Sequence, residues 1–112
     1  MEVSKDTEEK ISQIQTLEQN LQNFFIQRQN FQSKLVEIDN ALDELKKSND
    51  ETYKIVGNIM IKGSREEFIK ELESKKEIIS LRIKNLEKQE EKIKEKASKL
   101  QNEVMELIKK EK

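Results

Sequence analysis

The sequence predicts a mainly α chain, a long antiparallel coiled-coil hairpin of two helices with a β-hairpin at the bend. Two sustained heptad patterns point to the helices. One short run, Tyr53 to Lys62, is the only stretch with β character, and it lies between them. The chain has no Pro, and both of its Gly are at 57 and 63, so nothing interrupts either helical segment.

The expected organisation is a single domain with an N-terminal coiled-coil helix over 1–48, a β-hairpin element over 49–64 and a C-terminal coiled-coil helix over 65–112. In the first helix, Ile14, Leu17, Leu21, Phe24, Arg28, Phe31, Leu35, Ile38, Leu42 and Leu45 alternate steps of three and four, and only Arg28 breaks the apolar seam. The second repeats this at Ile69, Leu72, Lys76, Ile79, Ile83, Leu86, Glu90, Ile93, Ala97, Leu100, Val104 and Leu107. Such heptads argue for a left-handed coiled coil. At 1.5 Å per residue each helix would extend roughly 60 to 70 Å. Because the chain folds back, the helices are expected to run antiparallel, with paired residue numbers summing to 114. That register sets Leu45 opposite Ile69, Leu35 opposite Ile79 and Ile14 opposite Leu100.

At the bend, Ser48-Asn49-Asp50 is a helix stop, and Gly57-Asn58 supplies a two-residue turn between strands near 52–56 and 59–62. Val56 should pair with Ile59 and Lys54 with Ile61 on one face, Ile55 with Met60 and Tyr53 with Lys62 on the other. Ser64-Arg-Glu-Glu67 reads as a capping box that starts the second helix. Two strands alone are marginal in water, and both faces of this pair are half apolar. The hairpin is therefore expected to associate with further chains, because exposed apolar edges invite pairing.

The same register leaves Val104 opposite Lys10 and Leu107 opposite Thr7. The last apolar residues of the second helix thus lack apolar partners, and Met105, Ile108 and Ile11 lie beside them. An exposed strip of this kind is expected to hold other apolar chains; the alternative is that these side chains wrap around the seam. Arg28, Lys76 and Glu90 mark places where the coiled coil is expected to be softer. The first helix is also rich in uncharged amides between Gln13 and Gln32, which by themselves decide nothing.

Composition narrows the function classes. The 112 residues are 33% hydrophobic and 40% charged, too little apolar material for a compact core. Without Cys or His there is no thiol nucleophile, imidazole base or thiolate or imidazole metal site, so no enzyme and no cofactor are expected. A net charge of −1 argues against a nucleic-acid surface. No run approaches the roughly 18 apolar residues of a membrane span. The N-terminus has no secretory pattern, which makes a cytoplasmic protein the expectation.

The run Tyr53-Lys54-Ile55-Val56-Gly57-Asn58-Ile59-Met60-Ile61-Lys62, the Gln-rich first helix and the Lys/Glu-rich second helix with Asn85-Leu86-Glu87-Lys88-Gln89-Glu90 together resemble the prefoldin family, β type. A single central hairpin favours β over α. The resemblance implies a chaperone subunit that acts without nucleotide. It further implies a heterohexamer of two α and four β subunits, whose hairpins complete a β-barrel, and tips that hold non-native polypeptides and pass them to a group II chaperonin. On this sequence, Tyr53, Ile55, Val56, Ile59, Met60 and Ile61 would build the barrel. Ile11, Ile14, Leu17, Leu21, Leu100, Val104, Met105, Leu107 and Ile108 would meet clients. A rival reading is a structural coiled-coil adaptor that oligomerises through its hairpin. A third, nucleic-acid binding, would need a salt-sensitive basic surface.

Overall fold

The computed structural model describes residues 4–48 and 50–111. Asn49, part of the expected helix stop, lies outside the described residues. The chain runs through α1 (Lys5–Lys47), β1 (Thr52–Val56), β2 (Ile59–Gly63) and α2 (Arg65–Glu111). It is two long helices and a small antiparallel hairpin, as the heptads and the Tyr53 run predict.

Each helix begins and ends for local reasons. Ser4 caps α1, its Oγ accepting from the Thr7 amide at 3.2 Å. Asp6 and Glu8 follow in the first turn, and Lys46 and Lys47 close the last, all favourable to the helix dipole. Arg65 donates from its guanidinium to the Ser48 carbonyl, so the first residue of α2 satisfies an acceptor just past the end of α1. For α2 the Ser64 hydroxyl accepts from the Glu67 amide at 3.4 Å, one half of the expected capping box.

The strands pair Thr52 with Gly63, Tyr53 with Lys62, Lys54 with Ile61, Ile55 with Met60 and Val56 with Ile59, the predicted register. Gly57 has φ +62°, the sole positive φ among the described residues, so Asn58 turns without entering the left-handed region. That fits a Gly at the first central position of a two-residue turn. Gly63 is needed for a different reason. A Cβ there would come within 2.5 Å of the Phe68 ring, which packs directly on the end of β2.

The chain divides into two compact units, each drawing on both helices: a terminal unit, Met1–Arg28 with Asn85–Lys112, and a bend unit, Gln29–Lys84. In the terminal unit Lys10 pairs with Glu103 at 3.2 Å, and in the bend unit Lys76 pairs with Asp39 at 2.7 Å. Both ion pairs fall within one residue of the predicted register and fix the helices as antiparallel. Every seam position from 14 to 45 and from 69 to 107 is buried or half-buried. Leu42, Ile83, Leu86 and Val104 are the most enclosed apolar side chains.

The polar interruptions of the seam are paired. The Arg28 Nε donates to both Glu90 carboxylate oxygens at 3.0 and 3.1 Å, and Arg28 also lies 5.3 Å over the Phe25 ring. In the register above, Arg28 faces Leu86 and Glu90 faces Phe24, one turn apart; their length lets them meet. Lys76 is held by Asp39. Each of these charges therefore has a partner across the helices.

Candidate functional site

Two surfaces were expected to carry function, and the structure treats them differently. The hairpin is open. Tyr53, Ile55, Val56, Ile59, Met60 and Ile61 are all between 47% and 70% exposed. The alternation of β1 and β2 puts Ile55 and Met60 on one face with Tyr53, and Val56, Ile59 and Ile61 on the other with Lys54. The second face is partly anchored. Lys54 Nζ reaches the Glu71 carboxylate on α2 at 2.7 Å, and Gly63 rests against Phe68. A cavity of about 410 Å³ opens beside it, lined by Leu45, Thr52, Lys54, Phe68 and Leu72 among others.

Glu51 ties the two strands at their open end. It accepts from the Tyr53 hydroxyl at 2.7 Å and from Lys62 Nζ at 3.0 Å. The Tyr53 hydrogen bond first, then Lys62, holds the Glu51 carboxyl below its ordinary range. The same bond pushes the Tyr53 phenol up, since losing its proton would put two negative oxygens together. Lys54 in turn lowers the Glu71 carboxyl. These polar ties sit at the rim and leave the apolar middle of the ribbon uncovered within this chain.

The terminal unit is largely closed. Val104 is only 8% exposed and Thr7 fully buried, so the expectation that Val104 is left over in an exposed strip is corrected. Thr7 is enclosed without leaving a polar atom unsatisfied. Its hydroxyl is hydrogen-bonded to Ser4 Oγ at 2.8 Å, so its polar atom is satisfied within α1 while the side chain is enclosed. Lys10, reaching toward Glu103 across the same turn, keeps a raised pKa chiefly through that hydrogen bond. Ile11, Ile14, Leu17, Leu21, Leu100, Leu107 and Ile108 are half-buried, and Met105 is exposed. Leu17 and Leu100 do come together, lining one groove of about 510 Å³.

The match to known proteins is consistent over nearly the whole chain. A family model described as prefoldin subunit matches residues 8–111. The chain belongs to the prefoldin family. A prefoldin subunit beta of Archaeoglobus fulgidus is 43% identical over 100 residues, 88% of this chain and 86% of that protein. One from Pyrococcus furiosus is 36% identical over 92 residues, 80% of this chain and 79% of that protein. Among solved structures, the prefoldin beta subunit from Thermococcus strain KS-1 superposes with a TM-score of 0.87 at 29% identity, covering 94% of each chain. The resemblance first carried by Tyr53 to Lys62 thus extends through both helices of a β-type prefoldin subunit.

Several structural contacts escaped the sequence reading. Ser4 with Thr7 carried a signal, since a Ser three residues before Thr at a helix start is a cap pattern. The Arg28 to Glu90 pair had one too, because two opposite charges are the lone breaks in otherwise apolar stretches of facing seams. The seating of Gly63 under Phe68 had none. Outside the expected sites, Val36, Ile78 and Leu81 in the bend unit are more than half exposed. No described helix is long and apolar enough to cross a membrane.

Proposed function

We propose that the chain is a subunit of a cytoplasmic, ATP-independent holdase, in which hairpins from two α and four β subunits close a β-barrel and the helical arms hold non-native polypeptides for a group II chaperonin. The observation that carries this reading is a hairpin apolar on both faces and open to solvent in a chain of the prefoldin family. About 1.5 to 3 kcal/mol attends burial of each large apolar side chain, so Ile55, Ile59 and Met60 together supply a strong drive to recruit neighbours. Client contact falls to the terminal unit. Met105 and the half-buried Leu17, Leu100, Leu107 and Ile108 are reachable at once, whereas Val104 reaches a client only when the last turns part. Several weakly binding arms on one platform then act together through effective concentration.

The test has two arms. Native mass measurement of the chain with and without a co-expressed α-type subunit is expected to give a hexamer with it, and a stable monomer in both samples would overturn the assembly. Removing residues 1–12 and 103–112 is expected to leave that mass pattern intact, apart from the residues lost, while abolishing protection of a denatured test protein from aggregation. Unchanged protection would instead favour an adaptor.

A further inference from the structure

One flank of the terminal unit carries an asymmetry that holding apolar chains does not require. Counting heptads outward from the seam, the α1 positions along this flank from 13 to 27 are Gln13, Thr16, Asn20, Asn23 and Gln27, none charged, with the acids Asp6 and Glu9 only beyond them toward the N-terminus. The matching stretch of α2 holds Lys92, Lys96 and Lys99, all exposed, with Glu103 and Glu106 following toward the C-terminus. Among the described residues no ion pair engages these three lysines. Glu103, four residues beyond Lys99, is taken by Lys10 at 3.2 Å. Glu91 and Glu95 lie farther round α2, where with Lys94 and Lys99 they line a separate shallow depression.

The 510 Å³ groove lies on this flank. Leu17 and Leu100 give it an apolar lining, and Gln13, Thr16, Lys96, Lys99 and Glu103 are at its sides, the Glu103 carboxylate already neutralised by Lys10. A helix face with no acid opposite its lysines is unusual in a coiled coil, where flanking positions commonly pair Glu with Lys. Here the facing side chains are amides, which can hydrogen-bond a passing backbone but cannot neutralise an ammonium group.

We propose that this groove is a docking site for an acidic amphipathic polypeptide segment, with apolar side chains seated on Leu17 and Leu100 and Asp or Glu meeting Lys96 and Lys99. The inference rests on the holdase reading and deepens it by stating which segments the terminal unit prefers. Charge complementarity selects the occupant: a basic segment meets repulsion, and a wholly apolar one leaves the lysines unused. A nucleic acid would use the lysines but not the leucines, so a peptide fits the whole surface better.

Two fluorescein-labelled peptides with identical Leu spacing, one bearing Glu and the other Lys at the intervening positions, test this by anisotropy against the full assembled protein. The acidic peptide is expected to bind about tenfold more tightly at low salt, two exposed charge contacts being worth roughly that much. The preference should shrink as salt screens it. K96E/K99E, at exposed positions where folding is checked by circular dichroism, is expected to reverse the preference. Equal binding of the two peptides, no binding of either, or an acidic preference that survives K96E/K99E overturns the proposal. So does a single-stranded oligonucleotide that displaces the acidic peptide at equal concentration. Aggregation suppression by the wild-type protein is read in parallel. If suppression is present without the charge preference, the groove proposal falls and the holdase reading stands; if the preference is present without suppression, the reverse holds.

Discussion

The bend unit and the terminal unit are built from the same two helices, yet they deal with apolar surface in opposite ways. In the bend unit the seam is sealed at Leu42 and Ile83 while the hairpin beside it leaves six large side chains about half or more exposed. In the terminal unit the seam is carried nearly to the last described turn, enclosing Val104 on α2 and, on α1, a Thr7 whose hydroxyl is already satisfied. Exposure at the hairpin is built into the single chain, because among the described residues no third strand or helix covers the middle of the ribbon. Exposure at the chain ends is conditional, because the same side chains can face one another or something else. An obligatory partner suits the first and a transient one the second.

The largest effect should come from blunting the hairpin surface. Replacing Ile55 and Met60 together by Lys is expected to weaken assembly by at least about a hundredfold, given roughly 1.5 to 3 kcal/mol for each large apolar side chain withdrawn from an interface. Light scattering should show the mass falling while helical circular dichroism persists. Assembly that survives the double change would erase the contrast between the units.

Next in size is the paired charge inside the terminal unit. Arg28→Leu leaves Glu90 enclosed without its cation and is expected to cost about 2 to 3 kcal/mol, less than for a fully buried pair because Arg28 keeps some water. The double variant R28L/E90L should recover that loss or exceed the parent stability in urea unfolding. If the single change is silent, the pair is not what closes this part of the seam.

A smaller effect sharpens the distinction between neighbours one residue apart. Val104→Ala is expected to destabilise by about 1 to 2 kcal/mol, and Met105→Ala, at an exposed position, by less than about 0.5. Amide exchange in the last turns of α2 should accelerate for the first and not for the second. Equal responses would mean that the ends of the helices are open in solution.

The weakest effect is set by pH. The carboxyls of Glu51 and Glu71 titrate below their ordinary range, so their ties to Tyr53, Lys62 and Lys54 stabilise the hairpin above the unfolded carboxylate pKa. That contribution is lost as pH falls through the lowered folded value. Lys10 and Lys76 are raised, so their contributions are complete below the ordinary lysine pKa and disappear as pH climbs through the higher folded one. Acid should therefore loosen the bend unit at the hairpin, while strong alkali releases one cross-helix contact in each unit. Fluorescence of Tyr53 and amide exchange read the two separately.

Much of this was legible in the residue order because periodicity reports burial. Steps of three and four gave both helices and their antiparallel register to within one residue, and the alternation from Tyr53 to Lys62 gave each strand pair except the last, Thr52 with Gly63. What periodicity does not report is how a polar residue on a seam is accommodated. Thr7 opposite Leu107 looked like a gap, but a hydroxyl with a local partner allows enclosure. Arg28 and Glu90 looked like faults, but they are four residues off register and long enough to bridge one turn. The packing of Phe68 on Gly63 depends on the exact seating of a ring against backbone, for which a string of letters holds no pattern.

That seating has a mechanical consequence. Only Ser64 separates the last strand residue from the helix that follows, and the Phe68 ring fills the corner, so the ribbon is seated on the first turn of α2. Whatever grips the ribbon therefore also aims the start of that helix.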